Sequence, residues 1–534
     1  MPHPSSAPSA SSASDTIFIN GVLWTGLNER HGYTALAVAG DRIAAVGSDD
    51  DVLNLRRPGT RVVDLAGQTL LPGFVDAHAH IWKIGHLLTT LLDVRGAESL
   101  ADLGARVQSK SATLPSGAWL YGRGYNEARF PEKRGPARHD LDAVAADRPV
   151  VLMRTCAHII ACNSRALEAA GVTRDTPTPQ GGDIERDASG EPTGVLSERA
   201  MGLVLQRMPA PTPGEYEAMI TTALRHQLSR GITSTNDAGV GPELLDVYRH
   251  MNADGRLPAR VNVMALRLVD GVGVVPLPAK HVGDRLRIDT VKFFADGGLS
   301  GATAALSVPY RHADTRGVLR MDEQEFLALA REAHEAGWRV ATHAIGDVAI
   351  DQVLGVYEAL GRGPLRHRIE HFGLPGADQL ARAARLGVIA VPQTIFVQAL
   401  GRNFRQYLPD ALLPRTYPVR AMLDAGVTVA LSSDAPVVEN DSPLAGMQAA
   451  ILRRDDEGQD IAPAEAITPD EALDAYTRGG AIASGDEADR GCLRVGMRAD
   501  LVVLSGNVLT TPPEALTSLQ VIGTWVGGEQ VFAP

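Results

Sequence analysis

Six residues that could bind a metal ion lie at the ends of strand-like runs in this sequence: His78, His80, Lys292, His343, His371 and Asp434. His78 and His80 close the apolar run LPGFVDAHAH with one residue between them. Residues i and i+2 of a strand share a face, so both imidazoles can reach one ion. Imidazole and carboxylate are usual ligands of zinc and of similar divalent metals. Together the six predict a metal centre.

Each of these residues alone has an ordinary structural explanation. A single histidine in a core is more often hydrogen-bonded than metal-binding, and a lone lysine such as Lys292 usually reaches solvent or a salt bridge. Asp434, before an Ala-Pro pair, could simply shape a turn. The metal-site interpretation depends on their joint occurrence, at the first, fourth, fifth, sixth and eighth strand-like runs of the central chain.

Eight strand-like runs alternate with helical patterns through the middle of the chain. They span residues 73–80, 231–239, 260–267, 289–298, 338–347, 367–372, 387–393 and 427–436. Helical segments such as 322–337 and 469–484 separate or follow them. This alternation favours an α/β fold, and eight such units predict a (β/α)8 barrel. The active site of that fold lies at the carboxyl ends of the strands, where the six residues are placed.

The two ends of the chain have a pattern different from the middle. Short apolar runs broken by NG, GD and AG pairs follow residue 16, and similar runs return near the C-terminus. We predict a disordered tail at 1–15, a composite β-sandwich of 16–72 with 485–534, and a barrel over 73–484. The connection after the first strand is too long for a plain loop. We therefore expect an inserted subdomain at about 96–225 that covers or shapes the substrate pocket.

The composition of the 534 residues is that of an ordinary globular protein, with 44% apolar and 21% charged residues. A net charge of −12 argues against nucleic acid or an anionic membrane as the main partner. No apolar run is long enough to cross a membrane. Three cysteines without a CxxC spacing indicate a reducing cytoplasm, and the Ser/Ala/Pro-rich start does not resemble a signal peptide. We expect a cytoplasmic protein that acts on a small molecule.

Several segments together resemble the amidohydrolase superfamily of metal-dependent hydrolases, in particular its amidohydrolase family 3 branch. The resemblance runs from about Thr16 to the C-terminus and is carried by LPGFVDAHAH, VKFFADG, ATHAIGD, RIEHF, LSSDAP and GMRADLVVL. It implies a distorted (β/α)8 TIM barrel with the small composite β-sandwich. It also implies hydrolysis of an amide-type C–N bond, in an N-acyl or N-formyl amine or a related amide, by a metal-activated hydroxide.

The resemblance assigns roles to the histidines and to Asp434. His78 and His80 would bind the more buried metal, with Asp434 beside it. His343 and His371 would bind a second metal. Asp434 would also be catalytic, taking the proton of the attacking water and passing it to the leaving nitrogen.

Lys292 matches the lysine that bridges two metals in this family after carbamylation by CO₂. An unmodified ammonium cannot bridge, because it has no lone pair and repels cations. A carbamylated Lys292 therefore goes with two metals, and an unmodified one indicates a mononuclear site. Zinc is the expected metal.

Three further residues are candidates for substrate binding. His158 and Asn163 align with a segment of the family 3 branch, from which this chain differs at Cys156 and Ala161. Arg123, in GRGYNE, is the third candidate.

The same metal site leaves other functions open. Deamination of a heterocycle, or cleavage of an ester, lactone or phosphotriester, is accessible to the same metal-activated hydroxide, because function lies in the loops rather than the fold. Some relatives keep the fold, lose metal ligands and serve as assembly proteins, but every ligand position is filled here. We expect an enzyme that forms a homodimer.

Overall fold

The structure of the protein, a computed structural model, describes residues 15–27, 32–127, 130–154, 159–179, 182–269, 273–299, 302–311 and 315–534. The tail predicted at 1–15 lies almost wholly outside these residues. Trp82–Thr222 form one compact unit, and the rest of the described chain forms the other. No helix of the described residues is long and apolar enough to cross a lipid bilayer.

Eight parallel strands of the larger unit form one curled sheet in the predicted order. From β1 to β8 they are Phe74–Ala79, Ile232–Val240, Arg260–Leu266, Leu286–Phe294, Arg339–Ala344, Arg368–His371, Ile389–Val391 and Thr428–Val429. Each strand pairs in parallel with the next. Every residue of β1 is buried, as expected for a parallel strand covered on both faces. The predicted parallel α/β sheet is confirmed.

The ring closes between β1 and the segment that follows the short strand β8. The Asp434 backbone N–H donates to the His78 carbonyl at 2.8 Å, and the His80 N–H donates to the Ala435 carbonyl at 2.8 Å. The closure therefore passes through residues of the predicted metal site.

Helices lie between and after these strands. Their bounds are Pro242–Ala253, Glu323–Glu335, Asp347–Leu360, Ala377–Leu386, Ile395–Tyr407, Val419–Asp424, Pro443–Leu452, Pro469–Tyr476 and Arg478–Ser484. In Glu323–Glu335 the Asp322 side chain caps two backbone N–H groups, and Phe326 and Ala330 are buried one turn apart. The amphipathic pattern that predicted a helix at 322–337 thus reflects real packing.

Two parts of the barrel differ from the expected repeat. The helix expected over 469–484 is two helices, because Thr477, at φ −123° and ψ −84°, interrupts the helical backbone. Between β3 and β4, the described residues contain only the short strands Leu268–Val269, Gly273–Val274 and His281–Val282. Prolines in that segment disfavour a helix there, so the third strand–helix unit is irregular.

The chain ends build two small sheets that share one core. The first contains Arg42–Gly47, Ala35–Ala39, Thr16–Ile19 and Arg61–Asp64, and the helix Asp49–Leu53 packs on it. The second contains Val22–Leu23, Thr69–Pro72, Leu501–Leu504, Val521–Val526 and Glu529–Phe532. Phe18 from the first end meets Trp525 from the second edge to face, with ring centroids 5.1 Å apart. The composite sandwich is confirmed.

The smaller unit spans Trp82–Thr222. The sequence predicts an inserted subdomain over about 96–225, so the unit begins earlier in the chain than expected. Its sheet contains Gly182–Arg186, Pro192–Glu198, Ile159–Cys162, Val150–Arg154, Leu120–Tyr125 and Leu92–Asp93. Its helices are Ile81–Thr89, Leu100–Ser111, Arg138–Asp142, Ser164–Ala170, Gly202–Leu205 and the first part of Pro213–Ser229. Gly85 packs against the Met219 backbone, where a Cβ would lie 1.9 Å from the carbonyl oxygen. The first helix therefore belongs with this unit.

Candidate metal centre

His78, His80 and Asp434 bring their ligand atoms together where the barrel closes. These atoms all lie within 4.8 Å of one another. Asp434 Oδ1 is 3.1 Å from His80 Nε2 and 3.4 Å from His78 Nε2. It is buried, yet no group of the described residues donates to it in hydrogen-bond geometry. Three potential ligand atoms that lie this close together, without a hydrogen bond to Asp434 Oδ1, form a site suited to a cation.

His343 on β5 and His371 on β6 lie next to this site. Their ring centroids lie 4.4 Å apart, and the His371 ring is 5.0 Å from that of His78. Nε2 of His343 is 3.1 Å from the Gly297 carbonyl oxygen, which leaves Nδ1 as the nitrogen that could bind a metal. The structure therefore brings together the four histidines and the aspartate predicted from the sequence.

Lys292 extends from β4 and is fully buried. Within the described chain its Nζ has no hydrogen-bond partner, and it lies 5.0 Å from the centroid of the Phe294 ring. A buried ammonium without a hydrogen bond is costly. Burial, partly opposed by the charges of Glu370 and Asp434, lowers the pKa of Lys292 to about 8. The site thus holds an amine that loses its proton more readily than a surface lysine does.

Hydrogen-bond acceptors at Nδ1 orient three of the four histidines. His78 Nδ1 lies 2.5 Å from Glu370 Oε2, and His371 Nδ1 lies 2.6 Å from Gln393 Oε1. His80 Nδ1 lies 2.9 Å from the carbonyl oxygen of residue 238. When a histidine donates from Nδ1, its Nε2 lone pair is left for the metal. Each of these three histidines is thus held in the orientation that a ligand needs.

Sequence reasoning did not identify Glu370 or Gln393 as parts of this site. Glu370 precedes His371 in RIEHF, and Gln393 follows β7 in AVPQ. A carboxylate inside an apolar strand is the signal that could have pointed to Glu370, because acidic groups are rarely buried without a partner. Gln393 offers no comparable signal.

Two buried aspartates fix the loops that carry the candidate ligands. Asp76 accepts from the Ser433 hydroxyl at 2.5 Å and from the Ser433 N–H at 3.1 Å, which ties the residue before Asp434 to β1. Asp296 Oδ1 lies 3.2 Å from His343 Nε2. Asp296 also accepts from the backbone N–H groups of Ala305, Ile345 and Gly346. These bonds fix the loop that follows the fourth strand.

The electrostatics keep His78 and His371 neutral and Asp434 charged. Burial, with the nearby Lys292 charge, lowers the pKa of His78 to about 4. Burial and the neighbouring His343 hold the pKa of His371 well below its usual value. Burial alone would raise the pKa of Asp434, but His78 and the other histidines hold it well below its ordinary range. These are the protonation states that metal binding requires.

Two of the candidate substrate residues, Asn163 and Arg123, lie in the smaller unit. Asn163 is fully buried in the smaller unit, where its amide bonds four backbone groups and caps the helix Ser164–Ala170. A side chain engaged in this way is structural, and the structure does not support the substrate-contact prediction for it. Arg123 is half-buried on Leu120–Tyr125. His158 and Cys156 lie outside the described residues.

Comparison with known proteins agrees with this geometry. A family model described as the amidohydrolase family matches residues 61–532. The chain belongs to the amidohydrolase family. Its relatives include YtcJ of Bacillus subtilis (strain 168), 33% identical over 94% of this chain and 98% of that protein. N-substituted formamide deformylase of Arthrobacter pascens is 31% identical, over 92% of this chain and 94% of that protein.

Solved structures confirm the fold of this amidohydrolase-family chain. An uncharacterized metal-dependent hydrolase from Pyrococcus furiosus matches it with a TM-score of 0.78 at 29% identity, over 93% of this chain and 100% of that one. Its counterpart from Pyrococcus horikoshii OT3 matches with a TM-score of 0.80 at 27% identity, over 93% and 99%. The distorted (β/α)8 barrel with its additional domain is confirmed, and the chain is a hydrolase of a metal-dependent family.

Proposed function

We propose that this protein hydrolyses the amide-type C–N bond of a small N-acyl or N-formyl amine, or of a related amide, at a divalent-metal centre. The observation that carries the proposal is the convergence of His78, His80 and Asp434 on one buried point, with Asp434 Oδ1 lacking a hydrogen bond within the described chain. The name of the formamide deformylase that is 31% identical over nearly the whole chain supports this bond type.

The donor set fits zinc, which prefers imidazole and carboxylate ligands. His78, His80 and Asp434 would hold one ion, and His343 with His371 would hold a second. Lys292, once carbamylated, would supply oxygen ligands to the centre, and a buried Nζ without a hydrogen bond in the described chain supports this modification. When bound, the metal supplies a water acidified towards pKa ~7 and a Lewis acid for the carbonyl oxygen.

Asp434 then transfers the proton of the attacking water. Asp434 carries a negative charge and accepts the proton that the attacking water loses as its oxygen bonds to the carbonyl carbon. As the C–N bond breaks, Asp434 returns that proton to the leaving nitrogen, which departs as a neutral amine. The other product is the carboxylic acid. The acceptors at the Nδ1 atoms of His78, His80 and His371 keep these imidazoles correctly oriented throughout.

A substrate panel on metal-loaded protein tests this proposal. Protein produced with zinc and bicarbonate would be assayed on N-formyl amines, N-acyl amines, N-acyl amino acids, cyclic amides and aryl esters, beside the variants His343→Ala and Asp434→Asn. We expect amide turnover that each substitution lowers by about 100-fold or more. Absence of bound metal, or full activity in both variants, would refute the mechanism. Turnover of esters alone would refute the amide assignment and leave the metal centre standing.

A further inference from the structure

Glu370 contacts both His78, a candidate metal ligand, and the buried guanidinium of Arg368. Its side chain is fully buried, and its Oε2 lies 2.5 Å from His78 Nδ1 and 3.0 Å from Arg368 Nη2. Its Oε1 accepts from Arg368 Nε at 2.8 Å. Arg368 therefore binds both oxygens of the carboxylate, and Oε2 also faces the ring nitrogen Nδ1 of His78.

Arg368 is itself immobilised inside the barrel. Besides its two bonds to Glu370, it donates to the Asn236 side chain and to two backbone carbonyls, those of Ala77 and Ala483. These bonds engage all five N–H donors of the guanidinium. Ala77 immediately precedes His78, so the arginine that holds Glu370 also holds the backbone of the ligand that Glu370 contacts.

We propose that Glu370 is a positioning residue that fixes the metal-binding tautomer of His78 and thereby sets the affinity of the centre for its metal. This inference rests on the metal centre proposed above. A carboxylate paired with Arg368 has no proton to donate, so the proton between the two side chains resides on His78 Nδ1. The lone pair of His78 is then on Nε2, the nitrogen 3.4 Å from Asp434 Oδ1.

The carboxylate distinguishes His78 from its neighbours. His80 and His371 are oriented by a neutral carbonyl and a neutral amide. A hydrogen bond to a charged acceptor is stronger than one to a neutral acceptor and makes the imidazole a better donor to the metal. We therefore expect the affinity of the ion held by His78 and His80 to depend more on Glu370 than on the other orienting groups.

A Glu370→Gln substitution removes the charge of the side chain and one of its acceptor atoms while keeping its volume. The glutamine amide would face N–H donors of both Arg368 and His78. In either orientation of the amide, its NH₂ group would therefore point at another N–H donor, and one hydrogen bond would be lost. If the NH₂ group faces His78, the imidazole must accept at Nδ1, and its proton moves to Nε2, where a metal would bind. Either orientation weakens the ligand without creating a cavity.

Zinc affinity of the full-length chain, stripped of metal, is the measurement, made by competition with a chromophoric chelator. We expect Glu370→Gln to bind zinc about 10- to 100-fold more weakly than wild type. The matched control is Asp500→Asn, which disrupts another buried carboxylate–guanidinium pair, with Arg260, at 2.7 and 2.9 Å. The control should lower the melting temperature of the metal-free protein while leaving zinc affinity within about twofold.

A double-mutant cycle tests whether Glu370 acts through His78. In a His78→Ala background, Glu370→Gln should have almost no further effect on zinc affinity. An equal loss in both backgrounds would overturn the inference, since it would mean a general structural effect. If Glu370→Gln does not fold, Glu370→Asp keeps the charge beside Arg368 but withdraws from Nδ1, and it should also weaken zinc binding.

The outcomes separate this inference from the function on which it rests. A wild-type protein that binds no zinc overturns the metal centre and this inference with it. Wild-type zinc binding with an unchanged affinity in Glu370→Gln overturns only the role of Glu370.

Discussion

His80 and Asp434 meet where the barrel closes, with Nε2 of the histidine 3.1 Å from Oδ1 of the aspartate. The backbone bonds between β1 and the segment after β8 run through the same residues. Because the hydrogen bonds that complete the ring also set this distance, the position of the two side chains is a property of the whole sheet.

Asp434→Asn should preserve the fold and remove most of the activity. The amide keeps the shape of the side chain but cannot take up the water's proton, and loss of a general base typically costs about 10²- to 10⁴-fold in kcat. The assay is hydrolysis of the best amide substrate under saturating zinc. Asp441→Asn is a suitable control, since Asp441 is a second buried aspartate, 2.7 Å from His226 Nε2. Equal activity in the two variants would contradict the role of Asp434.

Lys292→Met should lower metal content without lowering the stability of the metal-free protein. Methionine fills a similar volume and removes a buried ammonium that has no hydrogen bond within the described chain, a cost of about 1–3 kcal/mol. Zinc per chain would be measured after growth with and without bicarbonate, and urea unfolding would be followed after chelation. We expect a bicarbonate-dependent second zinc in wild type only. Two zinc ions in the variant would argue against a carbamate bridge.

The barrel, and the meeting of the candidate ligands at one of its edges, were predictable because each rests on a local signal. An apolar run that stops at a polar residue marks a strand end, and parallel strands bring their carboxyl ends to one edge. His78 and Asp434 are far apart in sequence, yet both could be assigned from their own strands. The composite sandwich was visible for the same reason, since Phe18 and Trp525 both lie in short apolar runs.

The orienting residues could not be predicted because they depend on three-dimensional contacts. The role of Glu370 arises only when β6 lies across the barrel from His78, and that of Gln393 depends on a turn after β7. Asn163 shows the opposite case, in which a family-like segment suggested a substrate contact and the buried amide caps a helix. The irregular connection between β3 and β4 has a sequence signal in its prolines, but the alternation around it outweighed that signal.

Asp500→Ala should destabilise the larger unit strongly. Asp500 precedes the strand Leu501–Leu504 and binds Arg260 at the start of β3, where both side chains are almost fully buried. Breaking a buried ion pair by removing one partner leaves an uncompensated charge and costs about 3–5 kcal/mol. Urea unfolding gives the loss. Replacing Arg260 by Met in the same chain should restore part of the stability, and a variant as stable as wild type would show that the pair has little energetic role.

His367 should make the protein lose stability as the pH falls below the ordinary histidine range. It lies before β6, and its Nδ1 accepts from the Val340 N–H at 3.0 Å, while its Nε2 is 2.9 Å from His334 Nδ1. Burial, together with the charges of His334 and Arg339, lowers its pKa to about 3. Tyr357 packs against the same ring, with centroids 5.0 Å apart.

The sign of this effect follows from proton uptake. The unfolded chain protonates His367 near pH 6.5 and the folded chain only near pH 3, so unfolding takes up one proton between these values. The stability contribution is complete above about pH 6.5 and falls by about 1.4 kcal/mol for each pH unit below it. His367→Gln should remove this part of the slope in urea unfolding between pH 6.5 and 4.5. His139→Gln, which changes an exposed histidine, should leave the slope unchanged, and an identical slope in His367→Gln would contradict the assignment.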